Sequence, residues 1–438
     1  MRFLVPPGQR VLDLGCGTGQ LLAALEPARG VGIDFSESMI AAARTQHPAF
    51  DFRVGDTEDE RAYDDLNGPF DAIILSDLIG SLDDCEATLK LLRRICHSET
   101  RLIIAYHSPL WEPVLELAEL LGLKMPQKEQ NWLSTDDIGN LLDLAGFEVI
   151  RRDWRQLIPR HLLGVGRMIN RFIATLPIIR RLCLRTYLVA RTAGQVSDRR
   201  PSATVLVPCR NERGNIESAV TRLPRFTDDL EIIFVEGHSA DGTLEEIRRV
   251  IATHPDRDIK VLVQDGRGKG DAVRKGFAAA RGDILIILDA DLTVPPEWIP
   301  RFYEAIASGR GEFANGSRLV YPMEAQAMRF LNMVANRIFS FLFTWLLNQR
   351  FTDTLCGTKV LAKRDYLKIA ANRRYFGEFD PFGDFDLIFG AAKLNLKVVE
   401  IPVRYASRTY GTTQISRFRH GWLLLRMVLF AYRKLKAF

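Results

Sequence analysis

Two aspartates one residue apart, Asp289 and Asp291, close the aliphatic run "DILIILDADL". Carboxylates at that spacing past a strand end either offer oxygen ligands to a hard divalent cation or cap the strand through its own turn. Near the start, "VLDLGCGTG" sets Gly15, Gly17 and Gly19 behind Asp13. Glycines at alternate positions let the backbone approach a ligand closely. Asp34, fifteen residues beyond Gly19, is an acid placed to accept hydrogen bonds from ribose hydroxyls.

Such residues need strands that end at them. "QRVLDL" is a short aliphatic strand that runs into the glycine turn, "QLLAALEP" is a helical stretch, and "GVGIDFS" is a second strand ending at Asp34, which together make a β-α-β unit. "VGD" (Val54 to Asp56), "FDAIILSDL" and "TRLIIAYHS" follow at strand-like intervals and place Ser76, Asp77, Tyr106, His107 and Ser108 at strand ends. His107 is expected to be structural. "AGQVSDRRPS" reads as a linker, and beyond it "ATVLVPCRNE", "LEIIFVEGHS", "IKVLVQDG" and "GDILIILDAD" alternate with helical stretches. That alternation predicts a mostly parallel sheet with ligands at the strand C-termini. At about 150 residues per domain, 438 residues suggest two or three domains. The expected fold class is α/β, with one domain over 1–195, a linker over 196–201 and a second domain over 202–438.

With 47% apolar and 26% charged residues the composition is globular, without low-complexity tracts or a fixed repeat. Cys16, Cys85, Cys96, Cys183, Cys209 and Cys356 lack CxxC pairing or histidines at zinc spacing, so reduced thiols and a cytoplasmic setting are expected. The first strand begins within about ten residues of Met1, and the longest apolar runs fall short of the ~20 residues a membrane span needs, so neither secretion nor a transmembrane helix is expected.

The net charge of +5 conceals a local pattern. Residues 154–197 hold eight arginines and no acid, and residues 401–438 hold eight lysines or arginines and again no acid. Both stretches interleave charge with bulky apolar groups, as in "MINRFIATLPIIRRLCLRTYLVA" and "GWLLLRMVLFAYRKLKAF". They suit the headgroup plane of an anionic membrane, or they are core elements with solvated basic edges. Aromatic-rich RNA-binding motifs are absent, and nucleic acid is not an expected partner.

The order of the first half, with Asp13 ahead of Gly-x-Gly-x-Gly, then Asp34, "VGD" and "FDAIILSDL", resembles the class I S-adenosylmethionine (SAM) methyltransferases. The resemblance covers about residues 1–195 and implies a Rossmann-like fold with SAM as cofactor. It places Asp13, Gly15, Gly17 and Gly19 around the cofactor, Asp34 at the ribose, Asp56 at the adenine amino group, and Ser76 and Asp77 facing the methyl acceptor. The helix that ordinarily precedes the first strand and covers the SAM pocket is almost missing, since the chain opens with "MRFLVPPGQR".

The second half resembles the inverting family 2 glycosyltransferases of GT-A fold, and among them the polyprenyl-phosphate sugar synthases. The matching pieces are "VPCRNE", "VEGHSADGT", "GRGKGDAVRKGFAAARGD", "LDADL", "NGSRL", "CGTKVL" and "GDFDL". The resemblance implies that Asp289 and Asp291 hold a divalent metal, magnesium or manganese, against the diphosphate of a nucleotide sugar donor. Pro208, Asn211, Glu212, Glu236, Lys269 and Arg408 are implied on the donor side. Arg318 and Arg329 are implied at the phosphate of a lipid acceptor. Asp384 stands where related enzymes keep a general base, and is either that base or an acceptor-positioning group; Asp386 is implied to organise the site. "IFSFLFTWLL" either forms an amphipathic hairpin for a lipid tail or packs in the core. Two positions depart from the family pattern: Glu236-Gly237 replaces Asp-Asp, and Gln414 stands in place of a lysine.

The resemblances together imply a bifunctional transferase, peripheral at the cytoplasmic face of the cell membrane. It moves a sugar from a nucleotide sugar to a lipid-linked or membrane-proximal acceptor and a methyl group from SAM to a second acceptor. The alternative keeps only the sugar transfer and makes the first domain a binding or scaffolding module.

Overall fold

The structure is a computed structural model that describes residues 1–66, 68–123, 130–159, 164–194, 200–321, 330–373, 383, 385–411 and 417–437. The chain forms two compact units, Met1–Ala193 with Leu435–Phe438, and Gly194–Lys434.

The first unit has seven strands: β1 (Arg10–Leu14), β2 (Arg29–Asp34), β3 (Asp51–Val54), β4 (Ala72–Ser76), β5 (Arg101–His107), β6 (Phe147–Arg155) and β7 (Arg185–Thr192). They form one sheet in the order β3-β2-β1-β4-β5-β7-β6, parallel except for β7, which runs antiparallel to both β5 and β6. Its helices are α1 (Gln20–Ala24), α2 (Glu37–Gln46), α3 (Cys85–Ile95), α4 (Glu112–Leu120), α5 (Thr135–Leu144) and the short α6 (Val165–Met168). Side chains alternate across a strand, so β4 sends Ile73 and Leu75 into one core layer and Ala72 and Ile74 into the other. Burial on both faces explains why β4 reads as a continuous aliphatic run. Each such Ile or Leu contributes about 1.5–3 kcal/mol by leaving water, so a charge at Ile74 would break this layer. Residues 1–5 fold into a turn whose Leu4 and Val5 are buried with Leu22 and Val11.

The second unit also holds seven strands: β8 (Ala203–Cys209), β9 (Leu230–Glu236), β10 (Asp258–Val263), β11 (Ile284–Ile287), β12 (Phe313–Ser317), β13 (Lys359–Ala362) and β14 (Val398–Pro402). Their order is β10-β9-β8-β11-β13-β12-β14, with β13 antiparallel to β11 and β12. The helices are α7 (Ile216–Thr221), α8 (Thr243–Thr253), α9 (Lys269–Ala279), α10 (Ile299–Ala307), α11 (Phe330–Leu347), α12 (Lys363–Ala371), α13 (Phe385–Lys393) and α14 (Arg417–Leu435). Both units are α/β, as the sequence predicts.

Two local expectations change. The stretch "IFSFLFTWLL" is not a hairpin: α11 is one helix that buries Phe343, Leu346 and Leu347 and exposes Ile338 and Phe341. Nothing within it breaks the helix, because Gly and Pro are absent from 330 to 347. The first basic stretch is divided at Pro177 into short helical turns that lead into strand β7.

In each sheet the connections reverse direction at one point, between β1 and β4 and between β8 and β11, which opens a crevice at the strand C-termini. Many of the described candidate residues lie at these two crevices.

Candidate active sites

At the first crevice, β1 runs into the turn Gly15–Gly19, and Gly15, Gly17 and Gly19 all take positive φ. Only glycine enters that region without strain. At Gly19 a Cβ would also lie 2.5 Å from the Phe52 ring, whereas at Gly17 a Cβ would meet nothing within 4 Å, so Gly17 borders open space. Asp34 pins the turn: its carboxylate accepts from the Gly17 amide at 2.8 Å and the Ser36 amide at 2.9 Å. Asp13 lies behind the turn, fully buried, and neither carboxylate oxygen has a hydrogen-bond partner. Burial, reinforced by the nearby charge of Asp34, pushes its carboxyl up to about 7. An orphaned buried acid beside a glycine turn is what a cationic or hydrogen-donating ligand would satisfy. Asp56 is exposed and accepts from the Glu58 amide at 3.0 Å, as a turn cap does.

A grouping that the sequence did not reveal appears beside this turn. Asp77, at φ +61°, follows β4, and the neighbouring Leu78 would lie 3.2 Å from a Cβ on Gly15. The Asp77 carboxylate pairs with Arg185 and lies 3.5 Å from His107 Nδ1. The antiparallel register aligns His107 at the end of β5 with Arg185 at the start of β7, which brings the three together. A lone histidine carries no such signal; the register does.

At the second crevice a cleft of about 220 Å³ is bordered by Pro208, Glu212, Lys269, Asp289, Asp291 and Arg408, six of the predicted residues. They come from the ends of β8 and β11, the start of α9 and the segment after β14. Lys269 Nζ sits 2.6 Å from Asp289 Oδ1, and Arg408 Nη2 sits 2.6 Å from Asp291 Oδ2 while Nη1 reaches Glu212 Oε1 at 3.4 Å. Burial raises the Asp289 carboxyl, but Lys269, with Lys359 and Arg318 behind it, pulls it below the usual range. Burial outweighs Arg408 at Glu212 and pushes that carboxyl up.

Several residues at the cleft escaped the sequence reading. Arg210, Gln264 and Gly268 line it. Gln264 directly follows β10, a strand-end position that could have signalled it. Gly357 backs two of its residues: a Cβ there would fall 1.9 Å from Asp289 Oδ2 and 2.5 Å from Lys269 Nζ, so glycine gives the carboxylate its room.

Other predicted residues stand apart from the cleft lining. Glu236 is buried and accepts from the Ser239 amide at 2.5 Å, and Asn211, at φ +56°, accepts from the Ala240 amide at 2.9 Å. Asn211 braces the loop after β8 against the loop after β9, while Glu236 pins that second loop to the end of its own strand. Arg318 is buried, and its guanidinium is gripped by Asp353 through Nε at 2.6 Å and Nη2 at 2.9 Å, so a phosphate would have to share it. Asp386 lies 3.3 Å from Arg373. Arg329, Asp384 and Gln414 lie outside the described residues.

Residues 1–152 match the family model for a methyltransferase domain, and residues 204–369 match the model described as glycosyl transferase family 2. The chain joins a methyltransferase domain to a family 2 glycosyltransferase domain. The glycosyltransferase domain is similar to a dolichol-phosphate mannosyltransferase of Saccharomyces cerevisiae, with 37% identity over 109 residues, 24% of this chain and 40% of that protein. It is also similar to an undecaprenyl-phosphate 4-deoxy-4-formamido-L-arabinose transferase of Aeromonas hydrophila, with 36% identity over 110 residues, 24% of this chain and 34% of that protein. The chain thus spans less than half the length of these curated relatives. Among solved structures, a magnesium protoporphyrin IX methyltransferase from Synechocystis with bound SAH shares 22% identity with the methyltransferase domain, covering 42% of this chain and 75% of that one at a TM-score of 0.30. A glucosyl-3-phosphoglycerate synthase from Mycobacterium tuberculosis, in complex with Mn2+, UDP and product, shares 17% identity, covering 54% of this chain and 80% of that one at a TM-score of 0.40.

Proposed function

We propose that the glycosyltransferase domain transfers a sugar, with inversion, from a nucleoside-diphosphate sugar to a lipid phosphate or another membrane-proximal acceptor. The observation that carries this reading is the cleft in which Asp289 and Asp291 meet Lys269, Arg408 and Glu212 at the ends of β8 and β11. Two carboxylates are the oxygen donors that magnesium or manganese takes. Among the described residues no three acids, histidines or cysteines are grouped closely enough to hold a metal by themselves, so the donor's phosphates and water would complete the coordination. A bound divalent cation would neutralise the charge that develops as the diphosphate leaves.

The chain's own groups do the rest. Lys269 pairs with Asp289 and Arg408 with Asp291, and both cations are placed to turn to the diphosphate when it enters. Pro208 borders the cleft and Glu212 anchors Arg408, while Asn211 and Glu236 shape the nucleotide side. An acceptor oxygen attacks the anomeric carbon from the face opposite the breaking bond to the diphosphate, and a phosphate acceptor arrives already ionised. Asp384, Arg329 and Arg318 are assigned to the acceptor side, with Asp384 as base or positioning group.

In the methyltransferase domain, Gly15, Gly17 and Gly19 with Asp34 and Asp56 would hold SAM, and orphaned Asp13 fits a ligand of its charge. Ser76 and Asp77 face the acceptor, and methyl transfer to carbon-, nitrogen- or oxygen-bound nucleophiles depends first on alignment. We assign the domains to 1–195 and 202–438. Among the described residues no helix is long and apolar enough to cross a membrane, and we place the protein at the cytoplasmic membrane face through its basic stretches.

The test is turnover with a panel of nucleotide sugars, divalent metal and polyprenyl phosphate, alongside calorimetry with SAM. Sugar transfer that survives Asp289→Ala and Asp291→Ala, or chelation of metal, sinks the donor assignment. SAM binding that Asp34→Ala leaves unchanged sinks the cofactor assignment and leaves the first domain a scaffold.

A further inference from the structure

The methyltransferase domain carries an apolar surface that the described residues leave exposed. Helix α4 buries none of its residues, although it presents Val114, Leu117 and Leu120, the last 83% exposed. At 100° per residue, Val114, Leu117 and Leu121 share one face, and Glu112, Glu116 and Glu119 share the opposite one. A contiguous exposed apolar face of this kind marks an interaction site.

The surface continues into the first basic stretch. Trp111 Nε1 donates to the Leu182 carbonyl at 2.8 Å, and the Ser108 amide donates to the Leu184 carbonyl at 2.7 Å, which ties the start of α4 to residues 165–184. That stretch exposes Met168, Phe172 and Ile178, the last 85% exposed, among exposed Arg167, Arg171 and Arg181 and without an acid. Apolar side chains set among arginines complement an anionic bilayer: the hydrocarbon takes the one and the headgroups take the other.

Its position gives it a role. The patch begins three residues after His107 and resumes until three residues before Arg185, so it flanks the Asp77–His107–Arg185 group at the strand C-termini. We propose that this face of the methyltransferase domain lies on an anionic bilayer, and that the methyl acceptor is a membrane amphiphile whose polar head reaches Asp77, His107 and Arg185 from that bilayer. The acceptor half of this inference rests on the methyltransferase assignment; the docking half does not.

The experiment uses the full chain with an environment-sensitive fluorophore on a cysteine introduced by Leu117→Cys, Ile178→Cys or Gln46→Cys, each position exposed and the last lying at the opposite end of the sheet. Vesicles of equal parts phosphatidylcholine and phosphatidylglycerol are the probe, and the wild-type chain labelled in parallel corrects for its own cysteines. Emission at 117 and 178 is expected to shift to the blue and to rise about twofold or more, with no change at 46 and none with phosphatidylcholine alone. Leu117→Glu with Leu121→Glu is expected to lower vesicle partition at least about tenfold, since each buried leucine contributes more than 1.4 kcal/mol. Unshifted emission at 117 and 178, equal shifts at all three positions, or a shift produced by raising protein concentration without vesicles overturns the proposal, the last pointing to a second copy of the chain. SAM calorimetry on the same variants reads the methyltransferase assignment separately.

Discussion

Arg318 and Asp353 are joined by two parallel hydrogen bonds in a site almost closed to solvent, and Asn336 Nδ2 donates to the same carboxylate at 2.8 Å. The pair ties the end of β12 to the segment after α11. Burial would raise the acid, but Arg318 holds its carboxyl down at about 2, below the ordinary value of 3.8. A depressed native value means that this stability is complete above pH 4 and is lost as the pH falls toward 2. Urea unfolding between pH 5 and 2 should show that loss, and it should vanish in Asp353→Asn. Removing one partner of such a pair costs about 3–5 kcal/mol, so Asp353→Ala is expected to unfold at markedly lower urea.

Asp13 predicts the opposite slope. Its native value near 7 lies above the ordinary 3.8, so the ligand-free domain loses stability as the pH rises from about 4 to about 7. The Asp13→Asn variant should remove that slope in thermal melts and gain stability at pH 8. A slope that persists in the variant would assign it to another group.

Gly357→Ala is a small change with a specific target. The added methyl would collide with Asp289 Oδ2 and Lys269 Nζ rather than with backbone, so these side chains must swing away. Donor turnover is expected to fall about 10²-fold, in line with losing one positioned charged group, while the melting temperature moves little. Equal losses in turnover and melting temperature would mean that the glycine serves the fold alone.

His107→Gln and Asp77→Asn separate acceptor chemistry from cofactor binding. Neither position touches the glycine turn directly, so calorimetry with SAM should be unchanged. Methyl transfer is expected to fall about 10²-fold in each, the range for a lost acid–base or orienting group. A matched weakening of SAM binding would return both residues to a structural role.

The ends of strands were the most readable features of this chain. "LDLGCGTG" and "ILDADL" carry their own instructions, because a run buried on both faces must be aliphatic and a tight turn at positive φ must be glycine. The α/β class and the two family assignments followed from the order of those pieces. The choice between a hairpin and core packing over 338–347 did not, since an apolar run has no periodicity that separates one helix from two.

By itself the sequence determined which groups could meet a phosphate, a metal or a cofactor, because those depend on residue type next to local backbone shape. Only the tertiary structure decided which of them face the same space. Lys269 and Arg408 found the two aspartates, Asp353 closed on Arg318, and Asp77 gathered His107 and Arg185 through strand pairings between segments far apart in the chain. Charges are read one residue at a time, but their pairing and their cost of burial are settled by the packing of the sheet around them.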